Sequence, residues 1–391
     1  MPQSDFNPVF ADRPVTIFAV MSALAQKHNA INLGQGFPDE DGPAEIIDFA
    51  ANAMRNGNNQ YTPTMGVPAL RKAVAASNQR FYGIELNWET QTLVTSGASE
   101  ALAASFLGLL NPGDEAILFA PYYDSYAPMV EAAGATPVII DLEGPEWSLD
   151  REKIEAAISP ATTLMAINSP HNPLGKTLKI DDLKMLADIA ITHDLRVVCD
   201  EVYEHIIGEN TPHIPLMTLP GMADRCVRIG SAGKTFSLTG WRIGYLSGPA
   251  DMVSAIAKTR QFLGYTTPEH TQLAVAHGLG FDDSYFEKLA SDMRAKRDII
   301  EAGLTSIGFD VMACEGTYFI SADIRNFTDK PDHDYCIELT ENARVTAIPL
   351  SAFYHHKLSK PPTHYIRFCF CKKTQILNEA LDRLKRYLTT G

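Results

Sequence analysis

The sequence predicts an α/β protein: a large domain with a mostly parallel sheet covered by helices, followed by a smaller α+β domain. Three features support this. The 391 residues exceed what one hydrophobic core usually organises. From about residue 45 to 280, short apolar runs alternate with amphipathic stretches of helical length. After about residue 285 the alternation gives way to a charged helix, four short apolar runs and a closing helix. The expected division is 1–45 as N-terminal arm and part of the small domain, 46–284 as the large domain, and 285–391 as the small C-terminal domain.

Seven runs read as strands of the large sheet: Thr92–Thr95, Ala116–Phe119, Pro137–Ile140, Thr163–Asn168, Arg196–Cys199, Cys226–Ile229 and Gly244–Ser247. Ala98–Leu110 and Ile180–His193 read as amphipathic helices between them. Such alternation gives a sheet buried on both faces, with ligands bound beyond the carboxyl ends of its strands. Further on, a helix over Tyr285–Ser306 leads into strands Phe309–Met312, Tyr318–Ala322, Thr346–Ile348 and Ile366–Cys371, and Thr374–Leu388 closes as a helix.

Composition narrows the function classes. With 45% hydrophobic and 20% charged residues the chain reads as an ordinary soluble enzyme. A net charge of −14 argues against nucleic acid or an acidic membrane as partner. No apolar run approaches the roughly 20 residues that a membrane-spanning helix needs. The start, MPQSDFNPVFADRP, has no basic n-region or apolar core, so no signal peptide and a cytoplasmic location are expected. The six cysteines form no CxxC pair, which leaves no metal-ligand spacing and favours reduced core thiols. Cys369 and Cys371 are expected on one face of a strand.

The strongest local signal is Ser231-Ala-Gly-Lys234-Thr-Phe-Ser-Leu-Thr-Gly-Trp-Arg242, directly after an apolar strand. Most lysines are solvated surface charges. Lys234, among small residues and without a neighbouring carboxylate in sequence, suits a desolvated amine that attacks an aldehyde. Ser231-x-x-Lys234 also matches the SxxK of serine acyl-enzymes, yet their SDN and KTG partner motifs are absent. Asp200, ending the run Arg196–Asp200, reads either as a helix cap or as the carboxylate that keeps a pyridine nitrogen protonated. Tyr203 stands three residues on, within reach of a ring's phenolic oxygen. Asn172 lies in the rigid turn Asn168-Ser-Pro-His-Asn-Pro-Leu-Gly175. Ser96-Gly-Ala98-Ser99-Glu-Ala101 opens a helix where free N–H groups favour a phosphate, though such residues also cap helices without any ligand. Pro121-Tyr-Tyr123-Asp-Ser-Tyr126 offers an aromatic face or plain core.

The ordered set resembles the fold-type-I, class-I aminotransferases that depend on pyridoxal 5'-phosphate, over nearly the whole chain. It is most similar to their methionine, glutamine and kynurenine branch. The resemblance rests on Asn32-Leu-Gly-Gln-Gly36-Phe-Pro-Asp39, Asn59-Gln-Tyr61-Thr-Pro, Pro170–Gly175, Asp200-Glu-Val-Tyr-Glu204, Ser231–Trp241 and Tyr365-Ile-Arg367-Phe-Cys-Phe370. It implies Lys234 as the Schiff-base lysine and proton shuttle, and Asp200 on the pyridinium nitrogen. Asn172 and Tyr203 would serve the phenolic oxygen and Tyr123 the ring face. Ala98, Ser99, Ser231 and Arg242 would form the phosphate cup, completed by Tyr61 from the partner of a homodimer with shared active sites. Gly36, Asn172 and Arg367 would receive the substrate, whose side chain Phe18, Tyr265 and Thr266 would line. Arg242 and Tyr123 replace the Lys and the Phe or Trp of some relatives, keeping charge and stacking face. Ser99 departs from the aromatic of the animal kynurenine enzymes, which puts an aromatic-donor preference in doubt. The reaction implied is ping-pong transamination from an L-amino acid to a 2-oxo acid. A lyase would share the cofactor residues, and a 2-oxo acid product would distinguish the two. A non-catalytic regulatory module would need a DNA-binding appendage, and no basic region is present.

Overall fold

The computed structural model describes residues 6–11 and 13–389, so Met1–Asp5 and Asp12 of the N-terminal arm lie outside it. The largest sheet has seven strands, β1 (Thr92–Ser96), β2 (Glu115–Ala120), β3 (Thr136–Asp141), β4 (Thr162–Asn168), β5 (Arg196–Asp200), β6 (Cys226–Ser231) and β7 (Ile243–Ser247). Their order is β1-β7-β6-β5-β4-β2-β3. Strands β2 to β6 run parallel, while β7 is antiparallel to β1 and β6. Each of the seven expected runs is a strand, one or two residues longer than its apolar stretch. β6 and β7 are buried along their whole length, because helices cover both faces of the sheet. The helix Gly97–Leu109 packs on β6 and β7, with Ala250–Leu263 against its other side.

A second sheet holds β8 (Asp310–Val311), β9 (Phe319–Asp323), β10 (Ile348–Pro349) and β11 (Tyr365–Cys369), all antiparallel in the order β10-β11-β9-β8. Helices Asp283–Ile307 and Thr374–Thr389 pack together beside it. Two expectations need correcting here. The run Thr346–Ile348 is not one strand, since Val345–Thr346 pairs with Ile31–Asn32 whereas Ile348–Pro349 joins β11. Pro349 lacks an N–H, which confines its strand to an edge. Strand β11 stops at Cys369, so Cys371 shares no strand face with it, although the two sulfurs lie 3.2 Å apart. All six thiols are free and buried.

Candidate active site

The carboxyl ends of β4, β5 and β6 set Asn168, Asp200 and Ser231 around a cavity of about 320 Å³. The start of helix Gly97–Leu109 closes one side, and Phe319 and Arg367 of the small sheet close another. Lys234 reaches it from the single helical turn Ala232–Thr235 that follows β6. Its Nζ donates to Tyr318 Oη at 2.9 Å and to the Gly36 carbonyl at 3.4 Å. Burial pulls the amine's pKa below the ordinary lysine range, as the apolar sequence context implied. Ser231 does head a helical turn, but Lys234 hydrogen-bonds Tyr318 and Gly36 rather than this serine.

Asp200 is buried, and its Oδ2 accepts from Tyr126 Oη at 2.5 Å. Oδ1 accepts only from the Val202 amide at 3.4 Å, in a turn, so the helix-cap reading fails. Burial pushes the carboxyl up to about 6, against the Tyr126 hydroxyl, the Val202 amide and Lys234, which favour the anion. Asn168 holds this strand end in place, donating to the Asp200 carbonyl at 2.8 Å and accepting from the Asn172 amide at 2.7 Å.

Arg367 is 1% exposed, in the strand between β9 and β10. That strand is buried along its full length. Nη1 donates to Asn172 Oδ1 and Nη2 to the Gly34 carbonyl, each at 2.7 Å. The guanidinium lies 3.8 Å from the Phe319 ring centroid, 4.8 Å from Phe353 and 5.5 Å from Phe18. Its buried Nε has no partner among the described residues. Burial lowers its pKa to about 10, which leaves it cationic at neutral pH.

Arg242 donates to Ser99 Oγ at 3.3 Å. Glycines permit this approach. A Cβ on Gly97 would come within 2.5 Å of Arg242 Nη2, and one on Gly244 within 2.4 Å of the Gly97 carbonyl carbon. Gly97 also has φ +75°, open to glycine without strain.

Phe18, Gly36, Ala98, Ser99, Tyr123, Asn172, Asp200, Tyr203, Ser231, Lys234, Arg242 and Arg367 all line this one cavity. Tyr61 does not: it is 80% exposed, its ring edge on Tyr265 at 5.3 Å. Tyr265 and Thr266 also lie off the cavity wall, because the turn after Ala250–Leu263 carries them toward Tyr61 and Thr62. Three contributors went unassigned in the sequence. Tyr126 lay inside the aromatic run, three residues past Tyr123. Tyr318 and Phe319 begin the β9 region, where neither alternation nor spacing points to a lysine or an arginine far away in the chain.

The chamber fits pyridoxal phosphate. A neutralisable amine, a buried carboxylate, a glycine cradle beside a cation and an orphaned guanidinium Nε match an aldehyde, a ring nitrogen, a phosphate and a substrate acid. Residues 28–384 match the family model described as aminotransferase class I and II. The chain belongs to that family. It is therefore a pyridoxal-phosphate-dependent aminotransferase, of fold type I like its solved neighbours. It is 43% identical to a probable N-succinyldiaminopimelate aminotransferase of Mycobacterium tuberculosis, over 94% of this chain and 95% of that one. A solved N-succinyldiaminopimelate aminotransferase from the same organism superposes with a TM-score of 0.94 at 42% identity, covering 98% and 100% of the two chains. Escherichia coli methionine aminotransferase is 39% identical over 95% of each chain. Mouse kynurenine–oxoglutarate transaminase 3 is 36% identical over 93% of this chain and 86% of its own.

Proposed function

We propose that this aminotransferase takes L-amino acids with uncharged side chains, of the methionine, glutamine, aromatic or kynurenine kind, and passes the amino group to a 2-oxo acid in a ping-pong cycle. Bound pyridoxal phosphate supplies the electron sink for breaking the donor's Cα–H bond. Lys234 is the attachment point and the proton carrier, since burial lowers its pKa and so eases loss of the proton that an accepting amine must shed. Asp200 holds a proton on the ring nitrogen, and Tyr126 fixes that carboxylate's direction. Asn172 and Tyr203 flank the phenolic oxygen, and Tyr123 faces the ring. Ala98, Ser99, Ser231 and Arg242 hold the phosphate, and Gly36 and Arg367 receive the donor's α-carboxylate.

One observation supports the donor class above the rest. Among the described residues lining the cavity, each of the three cations Lys234, Arg242 and Arg367 has its own group to serve, which leaves none for an acidic side chain. The wall nearest Arg367 is instead aromatic, from Phe18 and Phe319. N-succinyldiaminopimelate, the substrate in the Mycobacterium relative's name, is the acidic competitor. A donor screen against one acceptor oxo acid tests this. Methionine, glutamine and phenylalanine should each exceed the acidic donors in kcat/KM, and preference for an acidic donor would overturn the reading.

Arg367→Lys should keep cofactor absorbance yet raise KM for every donor alike. Losing a bidentate contact in a desolvated pocket typically costs about 2–5 kcal/mol. A loss confined to one donor class would assign Arg367 to side chains instead. Borohydride should fix the cofactor to Lys234, and label on another lysine would refute its role.

The division at residues 46–284 and 285–391, with 1–45 shared, is the reading that the two sheets support. The same reading includes a cytoplasmic homodimer with shared active sites. Exposed Tyr61, Phe262, Leu263 and Tyr265 form an apolar surface suited to a second copy. Buried free thiols fit a reducing compartment. No helix among the described residues is long and apolar enough to cross a membrane.

A further inference from the structure

A second cavity, of about 190 Å³, lies behind the wall formed by Asn168 and Tyr126. It opens between the carboxyl ends of β2 and β4 on one side and residues 147–149 and 174–179 on the other. The ring walls are Phe119, Tyr122, Tyr126 and Trp147, leucines extend the apolar side, and Lys176, Asp182 and Glu315 make the other side polar. An engineered apolar cavity of about 150 Å³ holds a benzene, so this volume takes an aromatic ring with a short tail.

Two buried polar atoms at this cavity lack partners. Trp147 is 4% exposed, yet its Nε1, a donor only, makes no hydrogen bond among the described residues. His171 Nδ1 is likewise buried and unpartnered. Leaving the indole N–H unsatisfied is costly, so an acceptor is called for. At the rim stands Lys176, half-buried. Its neighbour Lys179 pairs with Glu315 at 3.7 Å, whereas no carboxylate lies within ion-pair distance of Lys176 among the described residues. Asp182 and Glu315 also line this cavity, but neither pairs directly with Lys176, whose half-buried ammonium keeps donors free for an anion.

We propose that this cavity is a second ligand site, for a small aromatic monocarboxylate whose ring lies among Phe119, Tyr122 and Trp147 and whose carboxylate accepts from Trp147 Nε1 and Lys176. Ring and acid each answer part of the site: the ring fills the aromatic side, and the acid answers the orphaned Trp147 donor and a cation that forms no direct ion pair. The aminotransferase reading plays no part in this assignment, although the consequence for catalysis does. Asn168 lines both cavities, and Tyr126 reaches from the second one to Asp200. An occupant therefore presses on the side chains that aim Asp200 and Asn172.

Titration calorimetry of the holoenzyme tests the site, with phenylacetate as the acid and indole as a ring that lacks one. Lys176→Met should weaken phenylacetate at least tenfold and leave indole within twofold. Leu178→Trp, which fills the cavity, should abolish both, with the visible absorbance of the bound cofactor reporting that the variant is folded. Phenylacetate binding unchanged in both variants would place it elsewhere, at Arg367 above all, and overturn the assignment. So would absence of saturable binding to the unaltered holoenzyme. Equal loss of phenylacetate and indole in Lys176→Met would refute the carboxylate contact. Occupancy should also move the pH midpoint of the holoenzyme's visible spectrum, and an unmoved midpoint with saturated phenylacetate would refute the link to Asp200.

Discussion

Asp200 shows how much a single side chain depends on what surrounds it. In the cofactor-free protein burial raises its pKa from 3.8 to about 6, so folding favours the protonated acid. Its contribution to stability is then full below about pH 4 and is lost as pH rises through 6. A shift of about two units corresponds to roughly 3 kcal/mol. Asp200→Asn keeps an acceptor for Tyr126 and cannot ionise. The apoprotein of this variant should gain up to about that amount over the unaltered apoprotein between pH 4 and pH 7.5. Urea unfolding at the two pH values measures it, and a pH-independent difference would show that folding leaves the Asp200 pKa unshifted. In the proposed holoenzyme a protonated ring nitrogen would add a second positive partner beside Lys234 and favour the anion. Asp200→Ala should accordingly retain cofactor through the phosphate contacts while turnover falls by orders of magnitude. Near-normal turnover would mean that another group protonates the ring.

At the scale of the element, the junction of β7 with helix Gly97–Leu109 sets the end of the site proposed to hold the phosphate. Gly244 brings its backbone so close to Gly97 and Ala98 that an added methyl would lie 2.4 Å from one and 2.6 Å from the other. Backbone cannot yield as a flexible side chain can, so Gly244→Ala should displace the helix start. The expected result is cofactor affinity at least tenfold weaker, with near-normal secondary structure by circular dichroism. Unchanged affinity in equilibrium dialysis would show that the helix start does not hold the phosphate. Elements of this kind were legible in the sequence wherever burial on both faces leaves a continuous apolar run, as in β5 and β6. Thr346–Ile348 was misread because one β-branched stretch serves two sheets in turn, a division fixed by partners at Ile31 and Arg367. That Lys234, Asp200 and Asn172 meet at one cavity was legible because Asp200 ends β5, Asn172 lies in the turn after β4, and Lys234 follows β6 by three residues. Tyr318 was not, because its role comes from contacts with Gly36 and Lys234, both remote in the chain.

For the whole molecule, the position of Tyr61 is decisive. It lies off its own chain's cavity, on an exposed apolar face with Phe262 and Tyr265. The proposed shared site requires a two-fold arrangement that covers this face and brings Tyr61 to the other copy's phosphate. Sedimentation should therefore give a dimer, and a monomer at assay concentration would end the shared-site reading. Hybrids of Tyr61→Phe and Lys234→Ala subunits should place both lesions in one site and leave the other intact. Such hybrids should show about half the activity of the unaltered dimer, and an inactive hybrid would place both groups within one chain.

The hold on Arg367 has a consequence for how donors are chosen. Asn172, Gly34 and three phenyl rings fix its guanidinium before any substrate arrives. A free arginine side chain gives up about 2 kcal/mol of rotamer freedom when it is immobilised. Here that freedom was surrendered when the chain folded. In the proposed role of Arg367, the acid group that all amino acids share would meet a rigid receptor, and even a small donor would be spared the cost of organising it. Discrimination among donors then falls to the rest of each molecule and the walls it touches.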